Sequence, residues 1–141
     1  TYRAMAEDVL GRCLRSGLLP QRPAGVSASL RLVGAPADPV QAVPGLSAAP
    51  GPHLYGAEAS ALAGLPGAEE ELAPGLTVAM VRFAARHEYA LTVEDVLARR
   101  SRLLFLDAAL AADLAPAVAR ILAEETGRDP ALAAFLALAQ D

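Results

Sequence analysis

The feature that most constrains this fold is the stretch from Thr77 to Asp107, the only long segment that contains neither Gly nor Pro. It holds five of the twelve arginines and the second of the two histidines. Apolar residues recur at spacings of three and four on both sides of Thr92, a periodicity typical of amphipathic helices. Thr92, followed by Glu94 and Asp95, has the pattern of a helix N-cap with an acidic first turn. The stretch therefore predicts two helices joined by a corner.

Two polar side chains at this corner fall on the apolar stripes. The first helix, predicted over residues 76–90, turns His87 inward, and the second turns Arg100 inward. A guanidinium on an apolar stripe must be paired or must extend to solvent. Glu88 is the candidate partner of Arg100. We expect Glu88 and Arg100, together with His87 and Arg99, to form a buried polar cluster that fixes the angle of the corner.

A catalytic interpretation of the same residues makes His87 or Glu88 a general base. No nucleophile, Gly-rich loop or second carboxylate lies close to them in the sequence. Ion-pair networks also occur without chemistry, so the structural interpretation is favoured and no catalytic residue is assigned.

The rest of the chain indicates more helices. With no Trp and only three Phe, the core must consist of Leu, Val and Ala, which favours packed helices over a β-sandwich. The predicted class is all-α, an irregular bundle of five or six helices. Besides the two at the corner, helices are predicted over Tyr2–Ser16, His53–Leu65, Ala108–Thr126 with Asp107 as cap and Gly127 as stop, and after Asp129-Pro130.

A Pro- and Gly-rich excursion follows the first helix. Residues 18–52 hold seven prolines and four glycines, which excludes a long helix or a central strand. A flexible linker and an ordered irregular segment both remain open, and partial order is favoured, with one helical turn from Asp38 to Val43. We therefore predict one domain over residues 1–141: a leading helix (1–17), the excursion (18–52) and a bundle (53–141).

Composition excludes several functions. The net charge of −4 and pI of about 5.1 argue against binding nucleic acid, which requires a basic surface. Glu69, Glu70 and Glu71 are consecutive, so on a helix their oxygens would diverge, and a solvated turn is favoured over a metal site. Cys13 is expected to be a small buried residue, and a single cysteine fits a reducing compartment. No apolar run reaches the roughly 18 residues of a membrane span. A signal peptide pattern is absent, and the start without Met suggests a piece of a longer chain.

Several motifs resemble one enzyme family. The run RHEYALTVEDVLARRSRLLFLDA, residues 86–108, closely resembles the C-terminal domain of FAD-dependent glycerol-3-phosphate dehydrogenases and alpha-glycerophosphate oxidases. The opening TYRAMAED, residues 1–8, is similar to the stretch of these enzymes that follows a Gly-Gly turn near the flavin. Leu-Tyr-Gly at residues 54–56 and Pro-Gly-Leu at 74–76 are similar to further landmarks. The likeness covers essentially the whole chain.

The resemblance implies a parent enzyme that oxidises sn-glycerol 3-phosphate to dihydroxyacetone phosphate by hydride transfer to FAD. It further implies a quinone or oxygen as electron acceptor and a cytoplasmic parent, peripheral at the membrane. This chain lacks the Gly-x-Gly-x-x-Gly fingerprint, so we expect an inactive helical cap on the flavin domain that contributes to dimer contacts. Only Thr1 is expected near the flavin, in the parent alone. The alternative is an autonomous interaction module in which Arg99, Arg100 and Arg102 dock an acidic partner.

Overall fold

A computed structural model of the chain describes residues 1–23, 25–36 and 50–140, and the chain divides into two compact units. The first unit, Thr1–Ala35, contains helix α1, Tyr2–Arg15. Two ion pairs at i, i+4 spacing support α1, Arg3 with Glu7 at 2.6 Å and Arg12 with Asp8 at 3.1 Å. The predicted first helix is thus confirmed to within one residue.

The end of α1 is set by Gly17, as predicted. Gly17 has φ +75°, and Leu18 N–H after it donates to the Cys13 carbonyl at 3.0 Å, which closes the last turn. None of the α1 residues is buried. The expected burial of Cys13 is therefore wrong: this residue is half-exposed, because the apolar face it shares with Tyr2 and Met5 remains largely open.

The second unit begins at Pro36, and its described part opens with two short helices. A 3-10 helix spans Pro52–Glu58 and α2 spans Ala59–Ala63. The single helix predicted over residues 53–65 is interrupted because Gly56, at φ 56° and ψ −127°, has a conformation that no helix accepts. The helical turn predicted from Asp38 to Val43 lies outside the described residues.

A small hairpin precedes the corner. Strands β1, Glu71–Ala73, and β2, Leu76–Thr77, pair antiparallel with Ala73 opposite Leu76 around the Pro74-Gly75 turn. The Glu71 carboxylate accepts a hydrogen bond from Gly75 N–H at 2.9 Å. The sequence did not predict this hairpin, because two- and three-residue strands are too short to show alternation.

Helix α3, Val78–His87, is shorter at both ends than the predicted helix over residues 76–90. Thr77 is its N-cap, and the Thr77 hydroxyl accepts from Met80 N–H at 3.3 Å. After the corner, a π-helix spans Asp95–Arg100. Ser101 N–H donates to the Val96 carbonyl, five residues back, at 2.9 Å, which is the hydrogen bond typical of π winding.

A short helix α4, Leu103–Leu106, follows the π-helix. The one continuous helix predicted beyond Thr92 is broken because Arg102 adopts a left-handed backbone, with φ +58°. Helix α5, Ala108–Thr126, starts and stops as predicted: the Asp107 carboxylate accepts from Leu110 N–H at 2.9 Å, and Gly127 ends the helix at φ +65°.

Helix α5 continues through Pro116, and α6, Leu132–Leu138, completes the chain. Its N-cap is Ala131 rather than the predicted Asp129, whose carboxylate instead accepts from Ala131 N–H at 2.9 Å. The predicted all-α class is confirmed, since the described part of the chain is mostly helical and its sheet has two short strands.

The core of the second unit lies where α3 packs on α5, and α6 and the π-helix also contact α5. It is built mainly from Leu, Val and Ala, as the composition predicted, although Phe83, Phe135, Met80 and Ile121 are also buried in it, and the described residues include no buried polar or charged residue. The largest fully buried side chains are Phe83, Phe135, Leu97, Ile121, Leu122, Val81, Val93, Val96 and Val118. The charged groups of α3 and the π-helix consequently lie at the edge of this core.

Candidate functional site at the corner after helix α3

Arg100 joins the end of α3 to the π-helix. Its Nε donates to the Glu88 carboxylate at 3.2 Å, one Nη donates to the Asp95 carbonyl at 2.8 Å, and the other donates to the Glu88 carbonyl. The Arg100 side chain is 27% exposed and that of Glu88 is 36% exposed. The two residues that sequence reasoning placed together are thus in contact, at the edge of the core rather than inside it.

His87 and Arg99, the other two members of the predicted cluster, are elsewhere. His87 is exposed, so the prediction that it points inward is wrong. Helix α3 ends at His87. The His87 imidazole contacts the Phe83 ring at a centroid distance of 4.7 Å but does not enter the core. Arg99 is also exposed, and it pairs with Glu94 at 2.6 Å and with Asp95 at 2.5 Å.

Asp95 organises the start of the second helix. Its carboxylate accepts from Leu91 N–H and Thr92 N–H, both at 3.0 Å, and from the Thr92 hydroxyl at 2.9 Å. Asp95 N–H donates back to that hydroxyl at 3.2 Å, which completes a reciprocal cap of the Thr-x-x-Asp type. Burial favours the neutral acid, but the hydrogen bonds from Leu91 and Thr92 outweigh it and lower the pKa of Asp95 to about 2.

Tyr55 is a neighbour of the corner that sequence reasoning did not include. Its ring meets Phe83 edge-on at a centroid distance of 5.3 Å. Burial and, to a smaller extent, the Glu88 charge raise the pKa of Tyr55 from 10.0 to about 12, and the Arg100 charge partly opposes them. Tyr55 therefore keeps its proton at neutral pH. Its only signal in the sequence was the Leu-Tyr-Gly landmark.

A second charge network, also missed, links α3 to α5. The Glu125 carboxylate accepts from Arg86 at 2.6 and 2.8 Å and from Arg82 at 2.5 Å, and Arg82 also binds Glu124 at 3.0 Å. The Glu125 side chain is 9% exposed. Hydrogen bonds from Arg86 and Arg82 lower the pKa of Glu125 to about 2. No local signal could have paired residues about forty positions apart.

Two residues near the corner have an unfavourable backbone conformation. Tyr89 has φ 57° and Arg102 has φ 58°. Left-handed backbone costs a non-glycine residue about 1–2 kcal/mol. Both residues are exposed, Tyr89 at 87%. In the described part of the chain Arg102 forms no ion pair.

The chemistry available at the corner is that of ion pairs and caps. Among residues 1–23, 25–36 and 50–140, no group of three His, Cys, Asp or Glu side chains is arranged to hold a metal ion. Nor does that part of the chain contain a helix long and apolar enough to cross a membrane. Thr1 lies exposed at the start of α1, and its one hydroxyl is the only side-chain group it could offer to a cofactor.

The fold and the corner define a mostly helical domain braced by intrachain ion pairs. A family model described as the C-terminal domain of alpha-glycerophosphate oxidase matches residues 26–133, so the chain belongs to this family. The resemblance seen in the sequence is thereby confirmed.

Curated relatives agree with this assignment. Glycerol-3-phosphate dehydrogenase 1 of Mycobacterium tuberculosis and its Mycobacterium bovis counterpart are 41% identical over 110 residues, covering 72% of this chain and 21% of the relative. The mitochondrial glycerol-3-phosphate dehydrogenase of Arabidopsis thaliana is 34% identical over 155 residues, covering 89% of this chain and 24% of the relative. The chain thus spans less than a quarter of the length of these relatives. No solved structure matches it significantly.

Proposed function

We propose that this chain is the C-terminal domain of an FAD-dependent glycerol-3-phosphate dehydrogenase. The complete polypeptide would oxidise sn-glycerol 3-phosphate to dihydroxyacetone phosphate, pass a hydride to FAD and deliver the electrons to a quinone or to oxygen. Support comes from the family match over residues 26–133 and from the glycerol-3-phosphate dehydrogenases among the relatives.

Within that enzyme the domain is a structural cap and performs no catalysis by itself. The observation that carries this proposal is that four of the five arginines of α3 and the corner, all except Arg102, are already bound by carboxylates of the same chain. Arg82 and Arg86 share Glu125, Arg99 binds Glu94 and Asp95, and Arg100 binds Glu88. A substrate phosphate would have to break these pairs before it could use the same guanidinium groups.

Flavin binding belongs to the rest of the enzyme. FAD is held there, with Thr1 close to the flavin. The domain also contributes to a homodimer, and the enzyme is cytoplasmic and peripheral at the membrane, where a quinone is accessible. These assignments rest on the family resemblance.

The experiment compares the isolated 141-residue chain with the complete polypeptide that carries it. Each is incubated with FAD and sn-glycerol 3-phosphate, and bound flavin and dihydroxyacetone phosphate are measured. We expect both signals from the complete polypeptide and neither from the isolated chain. A complete polypeptide without flavin would contradict the enzyme assignment, and turnover by the isolated chain would contradict the cap.

A matched pair of variants tests the structural role. In the complete polypeptide, Arg100→Met should reduce the yield of folded enzyme but leave the KM for sn-glycerol 3-phosphate unchanged, since Arg100 binds Glu88 and not substrate. Arg99→Met, which removes a more exposed guanidinium next to it, should change neither quantity. A rise in KM for Arg100→Met alone would assign that side chain to the substrate.

The alternative of an autonomous interaction module loses its main support. It required Arg99, Arg100 and Arg102 to form one docking patch for an acidic partner. Arg99 and Arg100 are bound by acidic groups of this chain, which leaves Arg102 as the one member with an exposed charge and no ion pair among the described residues.

A further inference from the structure

Four exposed residues lie on or beside the corner and α4, and we call them the corner patch: Tyr89, Arg102, Phe105 and Leu106. Tyr89 is 87% exposed, Phe105 71% and Leu106 78%, and Arg102 is also exposed. Isolated apolar residues on a surface are ordinary, whereas adjacent large ones mark a binding surface.

Local hydrogen bonds hold the segments that carry the patch. Phe105 N–H donates to the Arg102 carbonyl at 3.1 Å, which places these residues in one turn. Tyr89 directly follows Glu88, whose carbonyl binds the guanidinium of Arg100, two residues before Arg102. Arg100 therefore ties the backbone next to Tyr89 to the segment that leads into Arg102.

Backbone conformation provides a second, independent observation. Tyr89 and Arg102 both have the left-handed conformation that glycine adopts without cost, yet both carry large side chains. At Tyr89 the conformation is held by the closure of α3, where Ala90 N–H donates to the Ala84 carbonyl at 3.0 Å. The exposed side chains of Tyr89 and Arg102 contribute little to packing within the described part of this chain. Non-glycine residues with left-handed backbone occur preferentially at functional sites, including ligand clamps.

Resting on the function proposed above, we propose that the corner patch is the surface by which this domain docks on the rest of its own longer polypeptide. The length of chain outside this structure argues for that occupant, since the matched region is 21–24% of the relatives. Tyr and Arg are the residue types most enriched among the residues that dominate interface energies. Arg102 requires a carboxylate on the facing surface, and Phe105 and Leu106 require apolar contacts around it.

A second copy of the chain fits the patch less well. In a symmetric dimer the same surface meets itself. None of the four patch residues is acidic, so self-pairing would bury Arg102 without a counter-charge from the patch.

Hydrogen exchange of the α4 amides, in Leu103–Leu106, tests the proposal. In the complete polypeptide, Leu106→Ser should speed their exchange by at least about tenfold, because it opens the docked surface. Leu54→Ser is the matched control, since Leu54 is 60% exposed in the same unit but lies outside the patch. It should leave α4 exchange unchanged. In the isolated chain, α4 should exchange as fast as in the Leu106→Ser polypeptide.

Other outcomes overturn the proposal. Equal exchange in the wild-type and Leu106→Ser polypeptides would show that nothing covers the patch. If the α4 amides were already protected in the isolated chain, the residues that bury the patch would belong to this chain. If their protection increased with protein concentration, a second copy would bury it. Flavin content, measured on the same samples, tests the proposed function separately: a polypeptide without flavin but with protected α4 amides would contradict that function and not the docking surface.

Discussion

Arg100 closes the corner onto Glu88 through two different groups of that residue. Its Nε reaches the Glu88 carboxylate at 3.2 Å, and an Nη reaches the Glu88 carbonyl. A third bond goes to the Asp95 carbonyl at 2.8 Å. One side chain thus supplies donors to a carbonyl at the end of α3 and to a carbonyl at the start of the π-helix.

Arg100→Met should lower the free energy of unfolding by about 1–3 kcal/mol, because the partly buried Glu88 carbonyl loses its side-chain donor and the Asp95 carbonyl loses one of its donors. The partly exposed ion pair with Glu88 contributes less, below about 1 kcal/mol. Urea denaturation followed by circular dichroism measures the change. Arg99→Met is the control and should cost less than about 1 kcal/mol, since the Arg99 side chain is 58% exposed. Equal stability of Arg100→Met and the wild type would remove the structural role of the pair.

Acid should weaken the contact between α3 and α5 through Glu125. The pKa of Glu125 falls from 4.5 to about 2 because Arg86 and Arg82 bind the charged form. The folded pKa lies below the unfolded one, so this stabilisation is complete above about pH 5 and is lost as pH falls from 4.5 towards 2. By linkage it amounts to at most about 3 kcal/mol at neutral pH.

Glu125→Gln should therefore be less stable at pH 7 and should depend less on pH between 5 and 2. Denaturant unfolding at a series of pH values measures both effects. Glu69→Gln, at an exposed position, is the control. Its free energy of unfolding should change with pH in the same way as that of the wild type. If the free energy of unfolding of Glu125→Gln depended on pH in the same way as that of the wild type, the contact with Arg86 would contribute nothing to the pH dependence of stability.

Two glycines with positive φ should respond differently to alanine. Gly67 has φ +84°, and an added Cβ would lie 2.5 Å from the Val78 Cβ. Gly127 has φ +65° but open space around it. We expect Gly127→Ala to cost about 1–2 kcal/mol from strain alone and Gly67→Ala to cost more. Thermal unfolding compares them, and similar losses would show that Val78 adjusts without penalty.

Pro116→Ala should stabilise the protein. Helix α5 is continuous through Pro116, which provides no N–H for the helical hydrogen bond and lies exposed. The expected gain is about 1–3 kcal/mol, the range set by the helix propensity of proline. Pro130→Ala, outside a helix, is the control and should lower stability by less than about 1 kcal/mol. An unchanged or lower melting temperature for Pro116→Ala would mean that α5 packs only when it contains the proline.

Sequence reasoning succeeded where a short-range interaction decides the structure. Asp107 and Gly127 mark the start and end of α5, and each acts on backbone groups within four residues of itself. The Thr92–Asp95 cap is of the same kind. For the candidate site, Glu88 and Arg100 were brought together correctly because the corner places them only twelve residues apart.

It failed where packing or backbone strain decides. A periodic stripe placed His87 inside, but α3 ends there and leaves it exposed. The break at Arg102 interrupts a helix that the apolar pattern would continue, because the pattern does not encode the left-handed backbone at that residue.

The sequence by itself determined the family, the mostly helical class and the caps of α5, since these depend on local chemistry and on motifs that can be read in order. Only the tertiary structure decided that Glu125 meets Arg86 and Arg82 and that Tyr89 and Arg102 carry exposed side chains on strained backbone. The physical reason is that such contacts join residues on separate helices, whose relative positions are fixed by burial of the shared core and not by any neighbour along the chain.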